Sequence, residues 1–286
     1  MAVGSGGFWG ILGDIVATEN SQHGGNGDSV GAHRPDMSSR HEEIISLIRR
    51  RGFVSIGRLA QSFQVSEQTV RRDLKDLDEQ GLVTKYHGGA GLPHGPSDIN
   101  YEKRKARLPV EKQRIALAVA ERIPEGTTVF IDIGTTMEAV AEALLGHKRL
   151  TIVTNHITVA TILSRRSEFQ VILAGGILKR NDHATTGEAT REFLEKFRVG
   201  YGVFGIGGID DDGELLDFDF RDIGVSAAAM RISRRRFVAL DHSKFNTDAL
   251  ASVGHLGDVD AIFTDQQPPE NLRPIIKSHG VEVIIC

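Results

Sequence analysis

The chain has a single cysteine, Cys286, so neither an internal disulfide framework nor a Cys-x-x-Cys metal site is available to it. No apolar run approaches the roughly 20 residues that span a bilayer, and no membrane partner is expected. The histidines are scattered, and none makes the paired spacing of a zinc protease. There is no Gly-x-Ser-x-Gly elbow and no Walker loop. A strong charge of either sign is missing too: a net −4 over 286 residues gives no reason by itself to expect nucleic acid. No catalytic set, metal or cofactor is expected. What is left is an ordinary soluble composition, long enough for two domains with separate cores, that fits a cytoplasmic protein.

Against that plain background one stretch stands out, Ser66 through Lys75. Ser66 is a good N-cap, so a helix is expected from Glu67. Val70, Leu74 and Leu77 recur at i, i+4 and i+7 as one apolar stripe. Gln68, Arg72 and Lys75 share a spacing on the opposite face. Arg can donate twice to guanine and Gln can pair with the adenine edge, so this helix has a core to sit on and a groove to read. A preceding short helix, Ser55–Phe63 with Ser55 as its cap, and a tight turn at Gln64-Val65 complete a helix-turn-helix. Ile44, Ile45, Leu47 and Ile48 mark an earlier helix that Gly52 breaks. Gly81 ends the third helix. Leu82–Tyr86 alternates as a strand, and His87–Gly91 turns sharply, which makes a wing with Lys85 and His87 as phosphate contacts. Between Ser38 and Gly91 nine Lys/Arg face seven Asp/Glu, and Arg49, Arg50 and Arg51 cluster. Any one such cluster is better explained by a solvated face; their place on the helices of a DNA-reading motif is what favours DNA. The candidate DNA contacts are Ser66, Gln68, Thr69, Arg71, Arg72, Lys75, Lys85 and His87.

Residues 1–36 are rich in Gly, Asn, Ser and His and are expected to be a disordered extension ahead of Met37, the expected natural start. The reader is expected over 37–92, a linker with Pro93, Gly95 and Pro96 over 93–109, and a second domain over 110–286. Tyr101–Arg107 is highly charged and expected to be exposed. From Val110 onward, helix and strand alternate. Strands are expected at Val129–Ile133, Thr151–Thr154, Gln170–Ala174, Tyr201–Gly205, Phe237–Leu240, Ala261–Thr264 and Glu282–Ile285. Helices are expected between them. That alternation predicts an α/β fold with a doubly wound, mostly parallel sheet, whose ligands bind at the carboxyl ends of the strands.

Several of those strand ends are polar. Asp132-Ile133-Gly134-Thr135-Thr136 passes from strand to helix, and free N–H groups at a helix start favour an anion such as phosphate. Asp241-His242-Ser243-Lys244 follows another strand, where Lys244 can neutralise a phosphate and Asp241 can accept from a sugar hydroxyl. Asn155, Gly175-Gly176 and Thr186-Gly187-Glu188 follow the same pattern. Each alone is better read as a turn; together they point to a phosphorylated polyol. Asp210–Glu214 lacks the spacing of a calcium loop and is expected to be a hairpin turn.

These residues resemble the DeoR family of bacterial sugar-metabolism repressors over roughly Ser38–Cys286. Val65-Ser66, Thr69–Leu74 and His87–Ala90 carry the likeness in the reader. Asp132–Thr136, Thr154-Asn155, Gly175-Gly176, Thr186-Gly187 and Asp241–Lys244 carry it in the second domain. The resemblance implies a sugar-phosphate sensor with the fold of ribose-5-phosphate isomerases and CoA transferases, double-stranded operator DNA as partner, and a homo-oligomer, dimer or tetramer. The stretches Gly134–Ala141, Gly187–Thr190, Gly208–Asp210 and Asp241–Phe245 further imply glycerol 3-phosphate as effector and operator release on binding. Gly134, Thr135, Thr136 and Lys244 are then expected around the phosphate, and Asp132, Asn155, Asp222 and Asp241 at the hydroxyls. The chain departs from the family at Ser226-Ala227, where many members carry Lys-Arg; Arg221 or Lys179 is the expected substitute. A sugar-phosphate isomerase or deaminase on the same fold, with Asp132, Asp241 and Lys244 as acid–base groups, is the competing reading. A constitutive DNA-binding protein with a relic sensor is a third. The fused helix-turn-helix argues against the enzyme.

Overall fold

Ile44 and Ile48 lie one turn apart and are fully buried, which anchors the first helix, α1 (Met37–Arg51), to the reader core. The computed structural model describes residues 37–51, 53–86, 88–91, 101–249 and 251–286, apart from a few side chains that include those of Arg49, Arg50, Arg51 and Arg221. The expected extension 1–36, His87 and the stretch 92–100 lie outside the described residues. A three-residue strand, β1 (Phe53–Ser55), runs into α2 (Ile56–Phe63), where the Ser55 hydroxyl accepts from the Arg58 amide at 3.3 Å. Gln64 closes α2 in the left-handed region at φ 51°. Ser66 then caps α3 (Glu67–Glu79), accepting from the Thr69 amide at 3.1 Å. Val70, Leu74 and Leu77 pack with Ile56 and Leu59, as the stripe requires. Gly81 at φ 68° ends α3, and the Leu82 amide bonds back to the Leu77 carbonyl at 3.0 Å.

The wing is smaller than expected and has a strand the sequence pattern did not announce. β2 (Thr84–Tyr86) pairs antiparallel with β3 (Gly89–Gly91), and β3 pairs with β1. Three residues show no usable alternation, so β1 exists only because β3 supplies its partner. A Cβ on Gly89 would stand 2.4 Å from the Phe53 ring and 2.5 Å from the Val54 carbonyl, so glycine is required at that crossing.

The second domain opens with α4 (Tyr101–Ala106) and α5 (Pro109–Glu121), the latter started by proline in its first turn. The elements that follow are β4 (Thr128–Ile131), α6 (Thr135–Leu144), β5 (Thr151–Thr154), α7 (Ile157–Leu163), β6 (Gln170–Leu173), β7 (Ile177–Lys179), β8 (Ala184–Thr186), α8 (Glu188–Leu194), β9 (Val199–Phe204), β10 (Gly208–Ile209), β11 (Glu214–Asp217), α9 (Phe220–Ile232), β12 (Ser233–Ala239), β13 (Ala251–His255), β14 (Ala261–Thr264), α10 (Arg273–Ser278) and β15 (Glu282–Ile285). All seven expected strands form one sheet in the order β15-β14-β12-β9-β4-β5-β6, with every pairing parallel. Alternation along β4 decides the two faces: Val129 and Ile131 pack against α5, α6 and α7, while Phe130 packs against α8, α9 and α10. The strand order reverses between β4 and β9, which opens a crevice outside their carboxyl ends. A β7–β8 hairpin and a small β10-β11-β13 sheet were not expected, being too short for a period-2 signal. The Asp210–Gly213 turn does join two antiparallel strands, as expected.

Candidate DNA interface and effector site

On α3 the Gln68, Arg72 and Lys75 side chains are exposed, on the side away from the buried Val70, Leu74 and Leu77. Arg71 is exposed as well but lies 2.9 Å from Glu67 one turn back, and Lys75 lies 3.6 Å from Glu79. The hydroxyls of Ser66 and Thr69 share a hydrogen bond of 2.9 Å at the helix start. Lys85 is exposed in β2, and its amide donates to Asp78 at 2.9 Å, which ties the wing to the end of α3. Asp73 is the surprise. It is buried, and Arg40 of α1 grips both its oxygens at 2.7 and 3.0 Å. The acidic residues of α3 therefore do not all face the groove: Asp73 is an internal brace.

The expected effector residues gather at the strand ends. Asp132 follows β4, Asn155 follows β5, Gly175 follows β6, and Asp241 follows β12. Gly134, at φ 120°, precedes α6 and frees the Thr135 and Thr136 amides at the helix start. Asp241 is buried and accepts from the Ser243 amide at 3.0 Å and from its hydroxyl, which holds the turn that carries Lys244. Asn155 donates to the Thr185 carbonyl at 2.9 Å, while its buried Oδ1 has no hydrogen-bond partner among the described residues. The β7–β8 hairpin brings Gly176, Lys179, Thr186 and Gly187 alongside. A Cβ on Gly176 would stand 2.0 Å from the Thr190 hydroxyl.

Electrostatics divide this site in two. On one side, Lys179 lies 2.6 Å from Asp182, 3.1 Å from Asp219 and 2.5 Å from Asp222. Burial alone would pull its ammonium down, but the Asp222 and Asp182 carboxylates outweigh that and hold it well above the usual lysine value. Burial pushes Asp222 up to about 6 against the pull of Lys179. Burial also pushes Asp132 up to about 8, with Asp217 and Asp222 adding to the rise. The Ser226 hydroxyl sits 3.3 and 3.2 Å from the two Asp132 oxygens. Ser226 thus places a neutral donor against a carboxyl whose pKa burial has raised. Lys179 brings a positive charge to Asp222.

On the other side the expected Lys244 is joined by two cations that the sequence did not announce, Lys112 and Arg104. Lys112 of α5 is buried, and its ammonium donates to the Arg104 carbonyl. Burial pushes Lys112 down to about 8; Asp241 resists the fall, and Lys244, Arg104 and Arg107 add to it. Lys244 is likewise lowered by burial, opposed by Asp241 and Asp217. Arg104 also pairs with Asp182, and its carbonyl accepts from Thr135 at 3.5 Å. The segment expected to be a charged exposed linker is a short helix: Lys103, Lys105, Ala106 and Arg107 are exposed, as expected, while Tyr101 and Arg104 are half-buried and tie it to the site. Tyr101 donates to the buried Glu138, and Lys105 lies 3.1 Å from the same carboxylate. Lys112 left one readable signal: it falls one turn before Ile115 and Ala116, on the buried stripe of α5.

A helix-turn-helix joined to an α/β domain with cations and polar strand ends at its switch point defines a class, the ligand-responsive regulators of transcription. Residues 40–95 match the DeoR-like helix-turn-helix domain and residues 108–266 match the DeoR C terminal sensor domain. The chain belongs to the DeoR family of DNA-binding repressors, and is not an enzyme. It is similar to the glycerol-3-phosphate regulon repressor of Escherichia coli (strain K12), with 45% identity over 250 residues, 87% of this chain and 99% of that protein. The glycerol-3-phosphate regulon repressor of Haemophilus influenzae is 42% identical over 250 residues, 87% of this chain and 97% of that protein. Among solved structures, ribose 5 phosphate isomerase A from Neisseria gonorrhoeae aligns at 16% identity over 48% of this chain and 53% of that one, with a TM-score of 0.35, a likeness too distant to carry an argument. Among the described residues no helix is long and apolar enough to cross a membrane.

Proposed function

We propose that this chain represses genes of glycerol and glycerol 3-phosphate metabolism in the cytoplasm and leaves its operator when glycerol 3-phosphate binds. The observation that carries this reading is Lys112 at the start of α6, where its ammonium and the Thr135 hydroxyl share the Arg104 carbonyl and Lys244 is close enough to lower its pKa. A phosphate there meets the Thr135 and Thr136 amides and two cations, Lys112 and Lys244. The unpartnered Asn155 Oδ1 and the protonated Asp132 are the groups for a short polyol tail. The similarity to glycerol-3-phosphate regulon repressors favours glycerol 3-phosphate over other phosphorylated polyols. Calorimetry of the full chain tests it. Glycerol 3-phosphate should bind and glycerol should not, and Lys244→Met or Lys112→Met should each cost about 1.5–3 kcal/mol of affinity. Heat with a hexose or pentose phosphate alone would replace this effector by another sugar phosphate, the second reading.

On the DNA side, Gln68, Arg72 and Lys75 face the bases, and Ser66, Thr69, Arg71, Lys85 and His87 meet phosphates. The head is not strongly basic, so two heads on a repeated site are needed, held together in a dimer or tetramer. Leu173, Ile177 and Leu178, all exposed near the β6 edge of the sheet, support a subunit contact there. Arg72→Ala should lose about 1–3 kcal/mol on the operator and relax its specificity. Equal losses on operator and random DNA, read by fluorescence anisotropy, would reassign Arg72 to the phosphates.

A further inference from the structure

Arg58 is the third residue of α2, the helix of a helix-turn-helix that crosses the DNA backbone. Its side chain does not point to open solvent. Nη1 donates to Asp248 at 2.8 Å and Nη2 donates to Asp211 at 2.7 Å. Both carboxylates belong to the sensor domain. Asp211 sits in the acidic β10–β11 turn, Asp210-Asp211-Asp212, and its other oxygen accepts from Asn271 at 3.3 Å. Asp248 is buried, and its Oδ2 has no hydrogen-bond partner among the described residues, so Arg58 supplies its compensating charge.

We propose that this contact is an autoinhibitory latch: the sensor offers Arg58 two carboxylates in place of DNA phosphates, and the latch must open before the reader can dock. Two physical arguments carry it. A guanidinium held by two carboxylates is not available to phosphate, and an acidic turn against α2 repels the backbone that would run there. A pair with one unsatisfied buried oxygen gains little net energy, because desolvation offsets most of the attraction, so it suits a contact that must break.

The latch is also wired to the effector site. Asp248 lies four residues beyond Lys244 in one short segment. The Thr247 hydroxyl donates to the Ser243 carbonyl at 3.1 Å, and the Thr247 amide donates to the Ile209 carbonyl at 3.0 Å, at the base of the acidic turn. Phe245 bridges Ile209 as well. A ligand that draws Lys244 inward tightens the segment that presents Asp248, which closes the latch and favours release. The latch itself rests only on DNA binding, whatever the effector is.

The test uses the full chain and a random-sequence duplex at low salt, since a phosphate contact is independent of sequence. The double variant Asp211→Asn, Asp248→Asn should bind that duplex about tenfold more tightly than the wild type. Arg58→Ala should bind more weakly than wild type and reduce the salt slope by about one phosphate. The salt slope separates the latch from mere loss of repulsion: freeing Arg58 should steepen the slope of the double variant by about one phosphate, whereas neutralising the turn alone leaves it unchanged. Asp211→Asn alone, at a half-exposed site, should give part of the gain. Unchanged or weaker binding by the double variant overturns the latch, and an unchanged salt slope in Arg58→Ala removes the phosphate role. Glycerol 3-phosphate is a separate arm: its failure to weaken wild-type binding would count against that effector, not against the affinity gain.

Discussion

Asp73→Ala should destabilise the reader by about 3–5 kcal/mol, the cost of removing one partner from a buried ion pair. That is a large part of what a domain of this size can have in hand. Arg40 reaches Asp73 with two hydrogen bonds, and His41 Nε2 lies 3.4 Å away. The carboxylate sits on the apolar stripe between Val70 and Leu74, so its loss leaves the Arg40 guanidinium facing a hydrophobic cluster. Urea unfolding followed by hydrogen exchange at α1 and α3 amides should show early opening of the reader, while the sensor sheet keeps its protection. Operator binding should be lost as a consequence. If reader stability falls by less than about 1 kcal/mol, the pair is an exposed-type bridge and not a brace.

The second large effect is a dependence on pH. Asp132 keeps its proton in the folded chain up to about pH 8, whereas the unfolded chain releases it near 3.8. The folded state then binds more protons, and stability falls as pH rises through this window. At its lower end two other groups intervene. His156, pushed down to about 4 by burial, adds stability with rising pH until about 6.5, and Asp222 opposes it until about 6. Between pH 6.5 and 8 Asp132 by itself should cost the sensor about 2 kcal/mol. Asp217, raised by burial, acts in the same direction, and Lys244, lowered by burial, acts against it. Above 8, Lys112 brings the opposite slope, since the folded state sheds its proton first. Asp132→Asn, which keeps an oxygen for Ser226, should flatten the 6.5–8 segment. Equal urea midpoints at pH 6.5 and 8 in the wild type would show that Asp132 is ionised throughout.

Much of this protein is readable in one dimension because its signals are local. Ser55 and Ser66 announce two helix starts through their own hydroxyls. Seven strands are found because each is a run of apolar residues bounded by turn chemistry, and their alternation with helices implies the parallel sheet. Gly134-Thr135-Thr136 announces a helix start with free amides because that geometry lies within three residues. The reader, the doubly wound sheet and the polar strand ends were therefore determined by sequence alone.

What only the tertiary structure decided are the partners that distance along the chain conceals. Asp73 looks like a surface acid until Arg40, thirty-three positions away, closes on it. Ser226 looks like a lost cation until Asp132, ninety-four positions away, is seen to need a donor. The charged stretch Tyr101–Arg107 looks like open linker until Glu138 and Asp182 claim Tyr101 and Arg104. Arg58 looks like a reader residue until two sensor carboxylates hold it. Capping, turns and periodicity are set by a residue's neighbours in the chain, whereas the ionisation and pairing of a buried charge depend on which groups the fold brings within a few ångströms, and the sequence does not state that distance.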